Sequence, residues 1–288
     1  MVQKLIFTAT LMLLLAGSLV AGEIPFTLEK GFVVISGKAK KDQPVQAVVF
    51  TGSTFSFVSR DLLKRLKLEM SSTNDLLSNV ATEDALRFAN IPDLTFADQR
   101  PVEVKMRTQS FDSIEKTLGH KVDIILGLDY LSDRIVQIDF KDRVLRFLDK
   151  PPINYESPKS ANSTAMRMTE HLRTALGDPI SMPVVEDVKL NGASFRTLFD
   201  TGVAYPVSLA PFAAKRNSIG NVSDKDQFGK VQLKSVDLGG YELTDVPALI
   251  KGTWDDVETR YSAIIGIGVM QNFTVTFDWK NKWVALQK

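Results

Sequence analysis

AVVFTGSTFSFVS, residues 47–59, and RTLFDTGVAYPVS, residues 196–208, decide the fold when Gly52 is set opposite Gly202, an offset of 150. Each is an apolar run, an x-Thr-Gly turn and a second short run. A longer pair follows them. DIILGLDYLSDRIVQIDFKDRVLRFL from Asp123 realigns without a gap on SAIIGIGVMQNFTVTFDWKNKWVALQ from Ser262, with Gly127 opposite Gly266 and Asp139 opposite Asp278, an offset of 139. Between them, IPDLTFADQRPVEV in the first half echoes the hairpin VDLGGYELTDVPALI in the second. One Asp-Thr-Gly triplet is weak, but a whole series of parts repeated in order is the mark of an internal duplication.

The remaining pattern is β. Gly31 to Ser36, Val45 to Phe50, Phe55 to Val58, Pro101 to Met106 and Ile135 to Phe140 are short Val-, Ile- and Phe-rich runs bounded by turn residues. Helices are few. Ser59 or Asp61 caps a short one carrying Leu62, Leu63, Leu66 and Leu68 on one side, and PFAAKR from Pro211 begins another. Pro151 to Pro158 and the Ser/Asn/Thr stretch to Thr164 lack periodicity and read as a linker, which gives lobes at 23–150 and 165–288 joined by 151–164. Asp139 and Asp278 read as turn residues, and Trp279 and Trp283 are expected on one face of the last strand pair.

On these duplicated motifs the chain resembles the pepsin/retropepsin superfamily of aspartic peptidases, with two retropepsin-like lobes in tandem over nearly all of the mature chain. The resemblance implies an all-β, bilobal fold with an internal pseudo-two-fold axis, where one x-Thr-Gly loop of each lobe meets the other and a peptide or protein ligand lies between them. Asp200 matches the family's catalytic aspartate, with Thr201 and Gly202 as motif support; Phe50 stands where the first lobe's aspartate is expected, followed by Thr51 and Gly52. The residue types have their own logic. Gly52 and Gly202 are expected to give the turns a conformation closed to residues with a Cβ, Thr51 and Thr201 to bond across the axis, and Gly127 and Gly266 to let a strand pass close behind each loop.

Aspartic peptidase chemistry uses two carboxyls sharing one proton, and a phenyl ring can neither exchange protons nor hold water. Phe50 and Asp200 are expected to face each other, the ring raising the Asp200 pKa against lowering by the loop amides, with a modest net shift. Val203 follows Gly202 where the family usually has Ala, Ser or Thr, and Asn79 to Phe96 contains no glycine for a flap hairpin. Three functions stay open: a pseudo-peptidase holding a peptide strand without cleaving it, a peptidase whose second carboxylate comes from a homodimer partner or elsewhere in the chain, and a purely structural protein.

Lys4, an uncharged apolar run from Leu5 and the small residues Ala21 and Gly22 have the order of a secretory signal peptide over 1–22, so a secreted or periplasmic location is expected. An uncleaved anchor is the alternative, since ~18 apolar residues just span a bilayer. Once the leader and its Lys4 are removed, 34 basic residues face 34 acidic ones, an electrostatic balance that argues against nucleic acid or an anionic membrane as partner. There is no cysteine, hence no disulfide, thiol nucleophile or thiolate metal site, and the two histidines, His120 and His171, are far apart in sequence. No metal or cofactor is expected. Asn162, Asn221 and Asn272 begin Asn-x-Ser/Thr sequons that matter only in a eukaryotic secretory pathway.

Overall fold

The computed structural model describes residues 22–72, 87–97, 99–157, 162–173, 179–220, 228–251 and 260–288. The expected leader therefore lies outside the described residues apart from Gly22, as do residues 79–86 of the segment read for a flap, whose remainder forms the strand Arg87–Phe96. The first half runs β1 (Glu23–Glu29), β2 (Phe32–Ala39), β3 (Gln43–Val49), β4 (Phe57–Ser59), α1 (Arg60–Leu66), β5 (Ser71–Ser72), β6 (Arg87–Phe96), β7 (Val102–Gln109), α2 (Asp112–Leu118), β8 (Ile124–Leu126), α3 (Leu128–Leu131), β9 (Ile135–Asp139) and β10 (Val144–Leu148). The second runs β11 (Ser163–Arg173), β12 (Pro179–Leu190), β13 (Ala193–Phe199), β14 (Val207–Leu209), α4 (Pro211–Arg216), β15 (Phe228–Leu238), β16 (Tyr241–Lys251), β17 (Ala263–Ile265), α5 (Ile267–Met270), β18 (Thr274–Asp278) and β19 (Trp283–Gln287).

The two halves pair their strands in the same cycle. In the first, β2-β3-β8-β4-β7-β6 closes back on β2 through Gly37 opposite Phe96. In the second, β12-β13-β17-β14-β16-β15 closes back on β12 through Val188 opposite Leu238. Closure leaves few open edges. Alternation then fills each ring, since Val33, Ile35, Ala47, Val49, Ile124 and Leu126 all face the main core. A third sheet, β1-β10-β9-β18-β19-β11, crosses the lobes, joined at its centre by β9 and β18 with Ile138 opposite Val275. The molecule is mostly β, two rings of strands bridged by this third sheet.

The local readings meet particular physical reasons. Ser59 is the N-cap of α1, its hydroxyl accepting from Leu62 N at 3.1 Å, and Leu62, Leu63 and Leu66 are buried beneath it. Asp139 accepts from Lys141 N and Asp142 N, and Asp278 from Asn281 N, so both organise the turns of their hairpins. The strand β11 starts at Ser163, inside the stretch read as linker, because Ser163 and Thr164 pair with Gln287 and Leu286. The expectation for the tryptophans fails. Asp278 lies opposite Trp283, so alternation sends Trp279 to the other side, where it stacks on Phe277 with ring centroids 5.4 Å apart, while Trp283 stacks on Tyr155. No helix among the described residues is long and apolar enough to cross a membrane.

Candidate functional site between the lobes

The strands β3 and β13 end at the loops 50–56 and 200–206, which meet through four hydrogen bonds related by the pseudo-two-fold axis. Thr51 Oγ1 donates to Phe199 O at 2.9 Å and accepts from Thr201 N at 3.1 Å; Thr201 Oγ1 donates to Val49 O and accepts from Thr51 N at 3.1 Å. Both threonines are completely buried. Behind each loop the following glycine-containing strand completes the match. Phe50 N donates to Leu126 O and Asp200 N to Ile265 O, while Leu128 N and Ile267 N donate to Ser53 O and Val203 O, each at 2.8 Å. Phe50 and Asp200 therefore hold corresponding backbone positions, and all six residues singled out from the sequence lie together.

The glycines serve for a different reason from the one expected. Neither Gly52 nor Gly202 has a positive φ; what excludes a side chain is space. A Cβ on Gly52 would stand 2.5 Å from Asp200 Oδ2, and one on Gly202 would stand 2.9 Å from Cγ of the Phe50 ring. The ring thus lies directly on the second lobe's loop, beside Asp200. It also stacks on Phe32, centroids 5.9 Å apart and planes at 27°. Phe32 belongs to the β1–β2 hairpin, whose tip reaches the second lobe: a Cβ on Gly31 would meet Ala204 Cβ at 2.5 Å. Phe32, Phe50, Phe111, Ile114, Ile125 and Gly202 border a cavity of about 280 Å³. Phe32 and Phe111 were invisible as site residues in the sequence, because each reaches the loop only through tertiary packing.

The Asp200 carboxylate accepts from Gly202 N at 2.7 Å and Gly52 N at 3.0 Å, one amide from each lobe. Burial pushes its pKa above the ordinary carboxylate value, and these two amides oppose the rise without reversing it. Part of the residue still meets solvent, but protein surrounds the carboxyl at longer range, which sets the direction. No other charged group among the described residues contributes to that balance. The Tyr261 phenol is pushed up to about 12, first by burial and then by the Asp200 charge. Val203 supplies no hydroxyl to the carboxylate; its N–H bonds Asp200 O at 3.3 Å. The first loop has a brace that the second lacks: Asp129 accepts from Ser56 N at 2.8 Å, and Ser56 Oγ accepts from Gly127 N at 2.9 Å. Pro206 and Gly268 stand at the matching positions of the second lobe.

The raised Asp200 pKa has a consequence for stability. A carboxyl whose folded pKa exceeds its unfolded one holds more protons in the folded state between the two values, so stability falls as pH rises through that window. Asp200→Asn is expected to be more resistant to urea than the parent at pH 7, with the gain shrinking as pH falls toward the ordinary carboxylate range. A pH-independent difference, or a loss at pH 7, would contradict the assignment.

Two lobes, each with a closed ring of strands and an x-Thr-Gly loop bonded across a pseudo-two-fold axis, define an aspartic-peptidase-like protein. Residues 29–151 match the family model described as retroviral aspartyl protease. The fold is similar to that of the aspartic proteinase from Irpex lacteus, with a TM-score of 0.55 and 15% identity, covering 93% of this chain and 97% of that one. No curated protein matches the chain. The family match over the first lobe and the fold over nearly the whole chain both support the pepsin/retropepsin-like aspartic peptidase superfamily.

Proposed function

We propose that this is an exported aspartic-peptidase-like protein that binds an extended peptide or protein segment between its lobes and cleaves it little or not at all. One observation carries the reading: the Phe50 ring rests on Gly202 beside Asp200, where a two-carboxyl mechanism needs a second acid. A lone carboxyl can still accept a hydrogen bond from a ligand amide or, when protonated, donate one. The adjoining cavity, aromatic on one side and bordered by Gln109, Ser110, Ser113 and Thr117 on the other, offers room for a side chain, which suits a binding protein better than an inert scaffold. A homodimeric peptidase is the second reading, favoured by the retention of Asp200 on two glycine amides.

The decisive experiment incubates a demonstrably monomeric sample with a library of unstructured peptides at several acidic and neutral pH values, with binding and cleavage both recorded. Binding without products is expected. Robust cleavage by the monomer that Asp200→Asn abolishes would overturn the proposal, and cleavage rising with the square of protein concentration would favour the homodimer.

A further inference from the structure

The first lobe carries a cation, Arg107, that has no ion-paired carboxylate among the described residues and lies on the same face as the Phe50 cavity. Pairings run Val34 opposite Val48, Val48 opposite Ile125, Ile125 opposite Phe57, Phe57 opposite Arg107, and Arg107 opposite Phe88. Directly opposed residues project to one side of a sheet, so this row joins Ile125, which borders the cavity, to Arg107 two strands away, a separation of roughly 10 Å. The Arg107 guanidinium lies over the Phe55 ring, 3.4 Å from its centroid, with the Phe88 ring 5.7 Å away. Arg107 is half-buried, and its Nε is buried without a hydrogen-bond partner. Among the described residues no carboxylate pairs with it. Asp129 acts on it at a distance, but that carboxylate is engaged by Ser56 N and Oγ. Lys105, over the Phe88 ring at 4.7 Å, adds a second positive charge on the same side.

A guanidinium held over a ring can still present its Nη groups to a planar anion, and a partly desolvated cation whose nearby carboxylate is bonded elsewhere gains more from one than a hydrated surface lysine does. Resting on the peptide-binding reading above, we infer that Arg107 is a carboxylate-recognition residue, selecting ligands with an acidic side chain about three residues of extended chain from an apolar side chain held in the Phe50 cavity. Phe55 and Phe88 orient the guanidinium; Lys105 contributes charge but no directed bond.

The test is fluorescence binding of an extended-peptide library that compares Glu with Gln and Asp with Asn at every position, using the parent, Arg107→Gln, Arg107→Lys and Lys105→Gln. The parent is expected to prefer the acid over its amide by about tenfold at one position, as charge-assisted bonds require. Arg107→Gln should abolish that preference and leave amide peptides bound as before, Arg107→Lys should keep part of it, and Lys105→Gln nearly all. If Arg107→Gln does not fold, the parent alone still decides: added salt must weaken the acidic peptides and leave their amide twins unaffected. Binding with no acid preference, or a preference that survives Arg107→Gln, overturns the inference and leaves peptide binding standing. Failure of every peptide to bind overturns both, and Arg107 is then only a packing residue on Phe55.

Discussion

Phe50→Asp is expected to give the protein an acid-optimum peptidase activity that the parent lacks. The loop that would hold the new carboxyl is intact: Phe50 N is fixed to Leu126 O, Thr51 is locked to the second lobe, and Ser53 N returns to Phe50 O. Gly52 N and Gly202 N both donate to Asp200, so by the pseudo-two-fold relation a carboxyl at position 50 would share these two amides with it. Two carboxyls this close cannot both ionise freely, and the pair would titrate as a unit sharing one proton over part of the acid range. Phe50 is only half-buried, so removing its ring costs less than the loss of a fully packed phenylalanine; about 2 kcal/mol is expected, chiefly from the Phe32 stack. A protein of ordinary stability survives that. The measurement is a peptide digest at pH 3 to 6 with parent, Phe50→Asp, and Phe50→Asp combined with Asp200→Asn. New products from the single variant that vanish in the double variant are the expected result. A folded single variant without products would mean that the surrounding cavity has been reshaped beyond the lost carboxyl, and that restoring the acid is not enough.

The loops were legible because their requirements are local and appear twice. A Thr-Gly turn after an apolar strand, then an apolar-apolar-Gly element later in the same half, marked both the pairing of β3 with β8 and that of β13 with β17. The helix α1 was legible from Ser59 and its leucines, but α2 was not, since Phe111 caps it without a side-chain bond and Leu118 is its one buried residue. Alternation placed strands well, but the shared face expected for Trp279 and Trp283 failed because the hairpin register, unreadable from the sequence, sets Asp278 opposite Trp283. The environment of Phe50 was the largest gap. Nothing in the sequence joins Phe32 to Phe50; the β1–β2 hairpin tip does so by crossing to Ala204. Arg107 was unreadable in the same way, because its position depends on a parallel pairing with β4 rather than on any neighbour in the chain.

The largest loss of stability is expected from Thr51→Val and from Thr201→Val. Each substitution keeps the shape of a β-branched side chain but removes a hydroxyl that both donates and accepts, leaving a buried carbonyl and a buried N–H of the opposite lobe unpaired. At ~1–3 kcal/mol for each stranded group, a single substitution should cost about 3 kcal/mol, while Thr51→Ser, which keeps the hydroxyl, should cost under ~1 kcal/mol. The four bonds divide two and two between the threonines, so simple bond counting makes the double variant the sum of the singles. Coupling is expected to make it less than the sum, because once one loop is released the other has no fixed partner to lose. Urea unfolding of parent, singles and double measures each term. The comparison between the singles also bears on function: if Thr51→Val costs as much as Thr201→Val, the first loop is still held as rigidly as the loop that carries Asp200. That rigidity keeps Gly52 N aimed at Asp200 Oδ1, so release of the first loop should remove one of the two amides that oppose the rise in the Asp200 pKa and move it further upward. A much smaller loss for Thr51→Val would instead show that the first loop no longer sets the geometry of the second.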